Sequence, residues 1–305
     1  MPAVIQINEL TRKFDELTAV YRLSLAIEQG EMFGIVGPDG AGKTTTIRML
    51  CGILAPTSGG GTILGHDIVT EGDLVKAEIG YLSQRFTLYG DLSVDENIEF
   101  FAEINEVYDY KPRREELLEF TRLAPFRDRL AEQLSGGMKQ KLALACTLIH
   151  EPRIIFLDEP TTGVDPVSRR DFWRILQNLL EGGITIIMTT PYLDEAERCT
   201  RVALMNKGAL MNVDTPLNLR KLMPGEIIEI ICEPVRKAFS LLKKSSLVRE
   251  VQAFGDRVDV IVDKSSGTLE EIQKLLASND ITVYGTRTIP PSLENVFISL
   301  MTEKA

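Results

Sequence analysis

A short apolar run, Met32 to Val36, gives way to glycine and then to a helix-forming segment from Thr44 to Leu50. Between them Gly37, Pro38, Asp39, Gly40, Ala41, Gly42, Lys43 and Thr44 fit the spacing G-x-x-x-x-G-K-[ST] at every fixed position. A buried strand feeding a glycine loop and a helix is half of a βαβ unit, so the chain is expected to be α/β with a largely parallel sheet. The loop also carries chemistry. Successive backbone N–H groups point into one concavity, and the helix dipole favours an anion there. Lys43 is positioned to reach the β- and γ-phosphates of a nucleotide, the Thr44 hydroxyl to ligate Mg²⁺, and Thr45 to continue the anion-binding turn. A glycine-rich turn that merely starts a helix is the plainer alternative.

A second apolar strand, Ile154 to Leu157, delivers two adjacent carboxylates, Asp158 and Glu159. Open α/β sheets bind ligands at the C-terminal ends of their strands. Asp158 is read as the Mg²⁺ carboxylate, acting through a water, and Glu159 as the base for the water that attacks the γ-phosphate. The alternative is an acidic helix cap after a core strand. Leu134, Ser135, Gly136 and Gly137 open another helix, to about Ile149. Ser135 and the N–H groups of Gly136 and Gly137 make a second anion-binding helix end, or an ordinary N-cap with two flexible glycines.

Strand patterns at Val4 to Asn8, Leu23 to Ile27, Thr62 to Leu64 and Ile79 to Leu82 surround the glycine loop. From about 91 to 150 the texture is helical, beginning with the capping box Ser93-Val-Asp-Glu96. Asp165-Pro166 caps a helix to about Leu180, and Ile184 to Met188 reads as a strand buried on both faces. Near residue 220 the pattern restarts as a small α+β module, 221–305, with a hairpin turning at Gly255-Asp256 and no legible catalytic constellation. A first domain of 1–220 is therefore expected.

Net charge of −10 and a pI near 5.0 disfavour non-specific binding to nucleic acid, and no nucleic-acid partner is expected. Cys51, Cys146, Cys199 and Cys232 form no C-x-x-C pair and read as buried thiols in a reducing compartment. No secretory signal and no membrane-length apolar run is visible, so a cytoplasmic protein is expected. Any membrane spans would come from another polypeptide.

In this order, the glycine loop, Leu-Ser-Gly-Gly at Leu134 to Gly137, the strand ending Asp158-Glu159, and Gly163-Val-Asp-Pro166 resemble the ATP-binding subunit of an ABC transporter over about residues 3 to 220. The resemblance implies a P-loop NTPase with a RecA-like core, an antiparallel β subdomain and a helical subdomain. It implies ATP and Mg²⁺ as ligands. Two ATP molecules would be sandwiched in a head-to-tail pair, with Ser135, Gly136 and Gly137 facing nucleotide on the partner ATPase. Gln84 resembles the glutamine that senses Mg²⁺ and water, Phe14 the aromatic that stacks on adenine, and Asp165 the aspartate linking the two sites. The runs Lys43 to Leu50, Ser135 to Cys146 and Tyr192 to Cys199, with a tail ending Pro291-Ser-Leu-Glu-Asn-Val-Phe297, are similar to ABC-2, daunorubicin-resistance-type drug-exporter ATPases. That similarity implies an ABC-2-type transmembrane permease as partner and a place on the cytoplasmic face of the inner membrane. A soluble ABC ATPase without a transporter and a nucleotide-binding regulatory subunit are the other readings.

One position departs from the family. Where a histidine normally contacts the γ-phosphate, this chain has Pro191, and its two histidines, His66 and His150, lie elsewhere. Proline neither donates a hydrogen bond nor carries a proton, and it is tolerated at a helix start. Slow hydrolysis at the chain's own site, in an asymmetric ATPase pair, is therefore expected.

Overall fold

The computed structural model describes residues 3–84, 88–223 and 225–303 and divides the chain into two units, at 213/214. The strands of the first unit are β1 (Ala3–Phe14), β2 (Leu17–Glu28), β3 (Met32–Val36), β4 (Ser58–Ile63), β5 (His66–Asp67), β6 (Ile79–Leu82), β7 (Ile154–Asp158), β8 (Thr185–Thr190), β9 (Arg201–Asn206) and β10 (Ala209–Asp214). Its helices are α1 (Lys43–Leu50), α2 (Gly72–Glu78), α3 (Val94–Ile104), α4 (Lys111–Thr121), α5 (Gly136–Leu148), α6 (Pro166–Glu181) and α7 (Leu193–Ala196). The elements β5, α2, β10 and α7 are absent from the sequence reading: β5, α2 and α7 are brief, and β10 is half-buried at every residue and so has no apolar face to mark it.

Two sheets share one core. An antiparallel sheet runs in the order β2-β1-β4-β5, and a six-stranded sheet in the order β10-β9-β3-β8-β7-β6. Ile5, Leu10 and Leu23 from the first sheet pack with Phe33, Phe156 and Ile187 from the second and with Ile47 and Leu50 of α1. Strands β3, β7 and β8 are buried at every residue, as a sheet covered on both faces requires. Among them β9, β3, β8, β7 and β6 pair in parallel, so their C-terminal ends lie along one edge. The register sets Val36 beside Thr190 and Asp158 beside Thr189.

The helical segment starts where the sequence marks it. Ser93 accepts from the Glu96 N–H while the Glu96 carboxylate accepts from the Ser93 N–H, a complete capping box opening α3. Helix α5 packs on α3 and α4 but also on β6 and α6, so it joins the helical segment to the sheet.

The second unit begins with α8 (Pro216–Arg220), before the expected boundary near 220, because this short helix, capped by Thr215, packs against the C-terminal helix. It continues as β11 (Glu226–Glu233), α9 (Val235–Leu242), β12 (Glu250–Phe254), β13 (Arg257–Val262), α10 (Ser265–Ala277), β14 (Thr282–Ile289) and α11 (Leu293–Glu303). From β11 to β14 the order is βαββαβ, and the sheet order β12-β13-β11-β14 is that of a ferredoxin-like unit. Ile228, Ile230, Val258 and Val260 form its core with Leu242 of α9 and Ile272 and Leu276 of α10. The Asn295 amide of α11 donates to Gln252 at 2.9 Å and to Asp259 at 3.0 Å, tying that helix to the sheet. Among the described residues no helix is long and apolar enough to cross a membrane.

Candidate nucleotide-binding site

The site grows from four strand ends. Strand β3 runs into the glycine loop, whose last residue, Gly42, caps α1 with φ of 96°. A side chain is strained at that φ, and a Cβ at Gly42 would also lie 2.4 Å from the Ala19 carbonyl oxygen. Only glycine lets the loop turn beneath strand β2. No side chain caps α1 and its first turn holds no acid, so its leading N–H groups and dipole are left to an anion. A cavity of about 580 Å³ opens there, lined by residues 39–45, Gln84, Glu159, Thr162, Pro191 and Tyr192.

On its floor the buried Lys43 ammonium donates to the carbonyls of Gly37 at 2.9 Å and Pro38 at 3.2 Å and pairs with the Glu159 carboxylate at 3.2 Å. The Thr44 hydroxyl donates to Asp158 Oδ1 at 2.9 Å. Asp158 is fully buried and its Oδ2 has no hydrogen-bond partner among the described residues. An unpaired buried acceptor costs roughly 1 to 3 kcal/mol, and more when it belongs to a charged group. With the Thr44 hydroxyl next to it, that oxygen and the oxygen donor set fit a hard divalent cation such as Mg²⁺. Gln84, at the end of β6, donates its amide to Glu159 Oε2 at 3.0 Å. Glu159 adopts a left-handed backbone, φ 50°, immediately after β7, which turns its side chain off the strand line toward the loop.

Two threonines escape a motif reading. The Thr189 hydroxyl donates to Asp158 Oδ1 at 2.6 Å and accepts from the Glu159 N–H at 3.0 Å, so one side chain orients both carboxylates. Thr162 donates to Glu159 Oε2 at 3.4 Å. Hydroxyls closing the β-branched run of β8 at the ligand-binding edge were the available signal.

The remaining candidates lie elsewhere. Ser135 caps α5 by accepting from the Met138 N–H at 3.3 Å, and neither it nor Gly136 nor Gly137 lines the cavity. Gly137 has a packing reason of its own, since a Cβ there would meet the Ser168 hydroxyl of α6 at 2.2 Å. Phe14 also stands outside the cavity lining, 41% exposed, with the Arg12 guanidinium 4.5 Å from its ring centre. Asp165 accepts from the N–H groups of Val167 and Ser168 as an N-cap, and hydrogen bonding to Ser168, through its side chain first and then its backbone, holds the carboxyl below the usual range.

Pro191 does line the cavity, but it does not start the helix. Tyr192 is the N-cap of α7, so the proline stands one residue earlier. His150 bonds the Ile79 carbonyl oxygen at 2.9 Å and His66 faces Glu71 at 3.8 Å, both structural positions. All four cysteines are free and buried, burial pushes each thiol up, and no group of three or more His, Cys, Asp or Glu placed to hold a metal occurs among the described residues.

The family model described as ABC transporter matches residues 20–162, a span holding the glycine loop, Gln84, Ser135 to Gly137 and the Asp158-Glu159 pair. The chain is 41% identical over 305 residues to the probable multidrug ABC transporter ATP-binding protein YbhF of Escherichia coli (strain K12), covering 98% of this chain but only 52% of that protein. It thus spans about half the length of that relative. It is 31% identical to the daunorubicin resistance ATP-binding protein DrrA2 of Streptomyces coeruleorubidus, over 97% of this chain and 94% of that one. Among solved structures, cbiO1 of Clostridium perfringens, part of the ABC transporter complex cbiONQ, superposes with a TM-score of 0.65 at 26% identity, over 73% of this chain and 95% of that one. With its phosphate loop, paired carboxylates and serine-glycine helix tip, the chain belongs to the ATP-binding family of ABC transporters.

Proposed function

We propose that this chain binds and hydrolyses ATP as the motor subunit of an ABC exporter for drug-like compounds, one side of a nucleotide-sandwiching ATPase pair docked on an ABC-2-type permease at the cytoplasmic face of the inner membrane. The observation that carries the ATPase reading is the convergence of Lys43, Thr44, Gln84 and Glu159 on one cavity over the orphaned Asp158 oxygen. The drug-export reading is supported by relatives named for multidrug transport and for daunorubicin and linearmycin resistance.

ATP enters with its phosphates on the N–H groups of residues 39–45 and on Lys43. Thr44, Gln84 and, through a water, Asp158 would hold Mg²⁺, which would supply charge neutralisation at the phosphates. Glu159 Oε1 faces Lys43 while Oε2 is held by Gln84 and Thr162. When the terminal phosphate draws the Lys43 ammonium, Oε1 is freed to take the proton of the attacking water. Ser135, Gly136 and Gly137, lying off this cavity, meet the nucleotide of the partner ATPase, Asp165 borders the same interface, and the exposed Phe14 offers its ring to adenine.

A slower, regulatory version of this reading is favoured by Pro191, which lines the cavity without a proton to give. In it, the chain binds ATP tightly, turns it over slowly, and completes a competent site on a different ATPase through Ser135. The decisive measurement is Mg-ATP affinity by titration calorimetry. Lys43→Ala should weaken binding by about a hundredfold or more. Unchanged affinity would remove the nucleotide reading and everything built on it.

A further inference from the structure

Glu195 is among the most buried charged groups in the chain, 1% exposed, and it stands outside the residues that line the cavity. It sits on α7, just past Pro191 and Tyr192. Its two oxygens are used separately. Oε1 accepts from the Thr161 hydroxyl at 2.6 Å, and Oε2 accepts from the Thr190 hydroxyl at 2.8 Å. The Arg169 guanidinium of α6 stands 3.6 Å from Oε1 and 5.2 Å from the Tyr192 ring centre, so the cavity-lining tyrosine rests on the same charge.

The two threonines belong to different strand ends. Thr161 lies in the loop that leaves β7 after Glu159, and the Thr162 hydroxyl next to it touches Glu159. Thr190 is the last residue of β8, beside the Thr189 that orients Asp158 and Glu159. Stability alone does not call for a carboxylate here, since a well-packed apolar residue usually serves as well as a buried ion pair. What a carboxylate adds is direction: two strong acceptors at fixed separation set both threonine rotamers at once. A shift of either loop pulls on the other.

We propose that Glu195 is a positioning residue for ATP hydrolysis, a bidentate clasp that locks the loop after Glu159 to the end of β8 and so fixes the base over the cavity. The inference rests on the ATPase reading above. Because the clasp acts on Glu159 and not on the loop at residues 39–45, it governs the chemical step and leaves nucleotide affinity alone.

The test uses the full chain and its Pro191→His variant as parallel backgrounds, measuring Mg-ATP affinity by calorimetry, kcat and KM by phosphate release, and the folded fraction by near-ultraviolet circular dichroism. Glu195→Gln keeps the volume but offers one acceptor oxygen in place of two. It should lower kcat by about tenfold to a hundredfold, the loss that about 1 Å of misplacement brings, with affinity within about threefold of the parent. Thr190→Val should do the same, and Thr190→Ser, which keeps the hydroxyl, should restore kcat. Glu195→Gln and Thr190→Val together should cost no more than either alone. A kcat per folded molecule that stays at the parental value, or one that falls only in step with affinity, overturns the clasp. Failure of the parent chain to bind Mg-ATP at all is a separate result, directed at the ATPase reading.

Discussion

At Pro191 a single ring replaces the one side chain that the family resemblance places against the terminal phosphate. Around it Gln84 and Thr162 hold one oxygen of Glu159, Lys43 faces the other, and Thr189 aligns Asp158, the arrangement on which the proposed hydrolysis rests. The missing part is a donor, so restoring one should restore rate without affecting affinity. Pro191→His should raise turnover by about tenfold or more, measured as phosphate release at saturating Mg-ATP, while Pro191→Ala should not. Vigorous turnover by the unmodified chain would mean that the donor is dispensable here. The phosphate loop and the acidic pair were readable in the sequence because their residue types and spacing are dictated by chemistry. Thr189 and Glu195 were not, because Thr189 reaches Asp158 and Glu159 across 30 or more positions and Glu195 reaches Thr161 across 34; Thr162 bonds Glu159 from three positions away, but a loop threonine follows no period that would mark it.

At the scale of elements, helix starts carry much of the function. Helix α1 opens on a glycine with no side-chain cap and presents its N–H groups to the cavity, whereas α5 opens on Ser135, which satisfies the Met138 N–H. Ser135 therefore has a local duty besides any contact across a pair. Ser135→Ala should destabilise the chain by about 1 kcal/mol, lowering its melting temperature by about 2 to 4 °C, checked by scanning calorimetry. A larger loss of ATP-driven pairing in the same variant, read by light scattering, would separate the two duties. Caps and buried strands were legible one element at a time: the Ser93 capping box, the Asp165-Pro166 start and the apolar β7 and β8 stand where the residues indicate. The two-residue β5 and the seven-residue α2, with one buried side chain, were not, because hydrophobic period needs length and an apolar face to register.

Across the whole molecule, each unit has its own core, and the second sets a buried carboxylate, Glu229, against two partly exposed arginines, an arrangement with a definite pH signature. Glu229 accepts from Arg287 at 2.6 Å and pairs with Arg257 at 3.3 Å, and the Arg287 hydrogen bonds hold its carboxyl below the usual range. A carboxylate with a depressed folded pKa binds protons more readily when unfolded. Its stabilisation is present above the ordinary glutamate range, near pH 4, and fades as pH falls through the lower folded value. Glu229→Gln should flatten that part of the acid limb of the stability curve, measured by urea titrations between about pH 5 and 3.

Residues at short separation determined a great deal: the strand-loop-helix around Lys43, the strand that delivers Asp158 and Glu159, the helical segment and the second α+β unit. All of these are local patterns, since backbone geometry repeats every two or 3.6 residues and a motif writes its chemistry in fixed spacing. Tertiary structure alone decided which strands stand side by side. The order β3-β8-β7-β6 brings Lys43, Thr189, Asp158 and Gln84 to one edge, leaves Ser135 to Gly137 off that cavity, and buries Glu195 between two loops. Pairing order is a competition among distant segments for burial and hydrogen bonds, and no window of neighbouring residues contains its outcome.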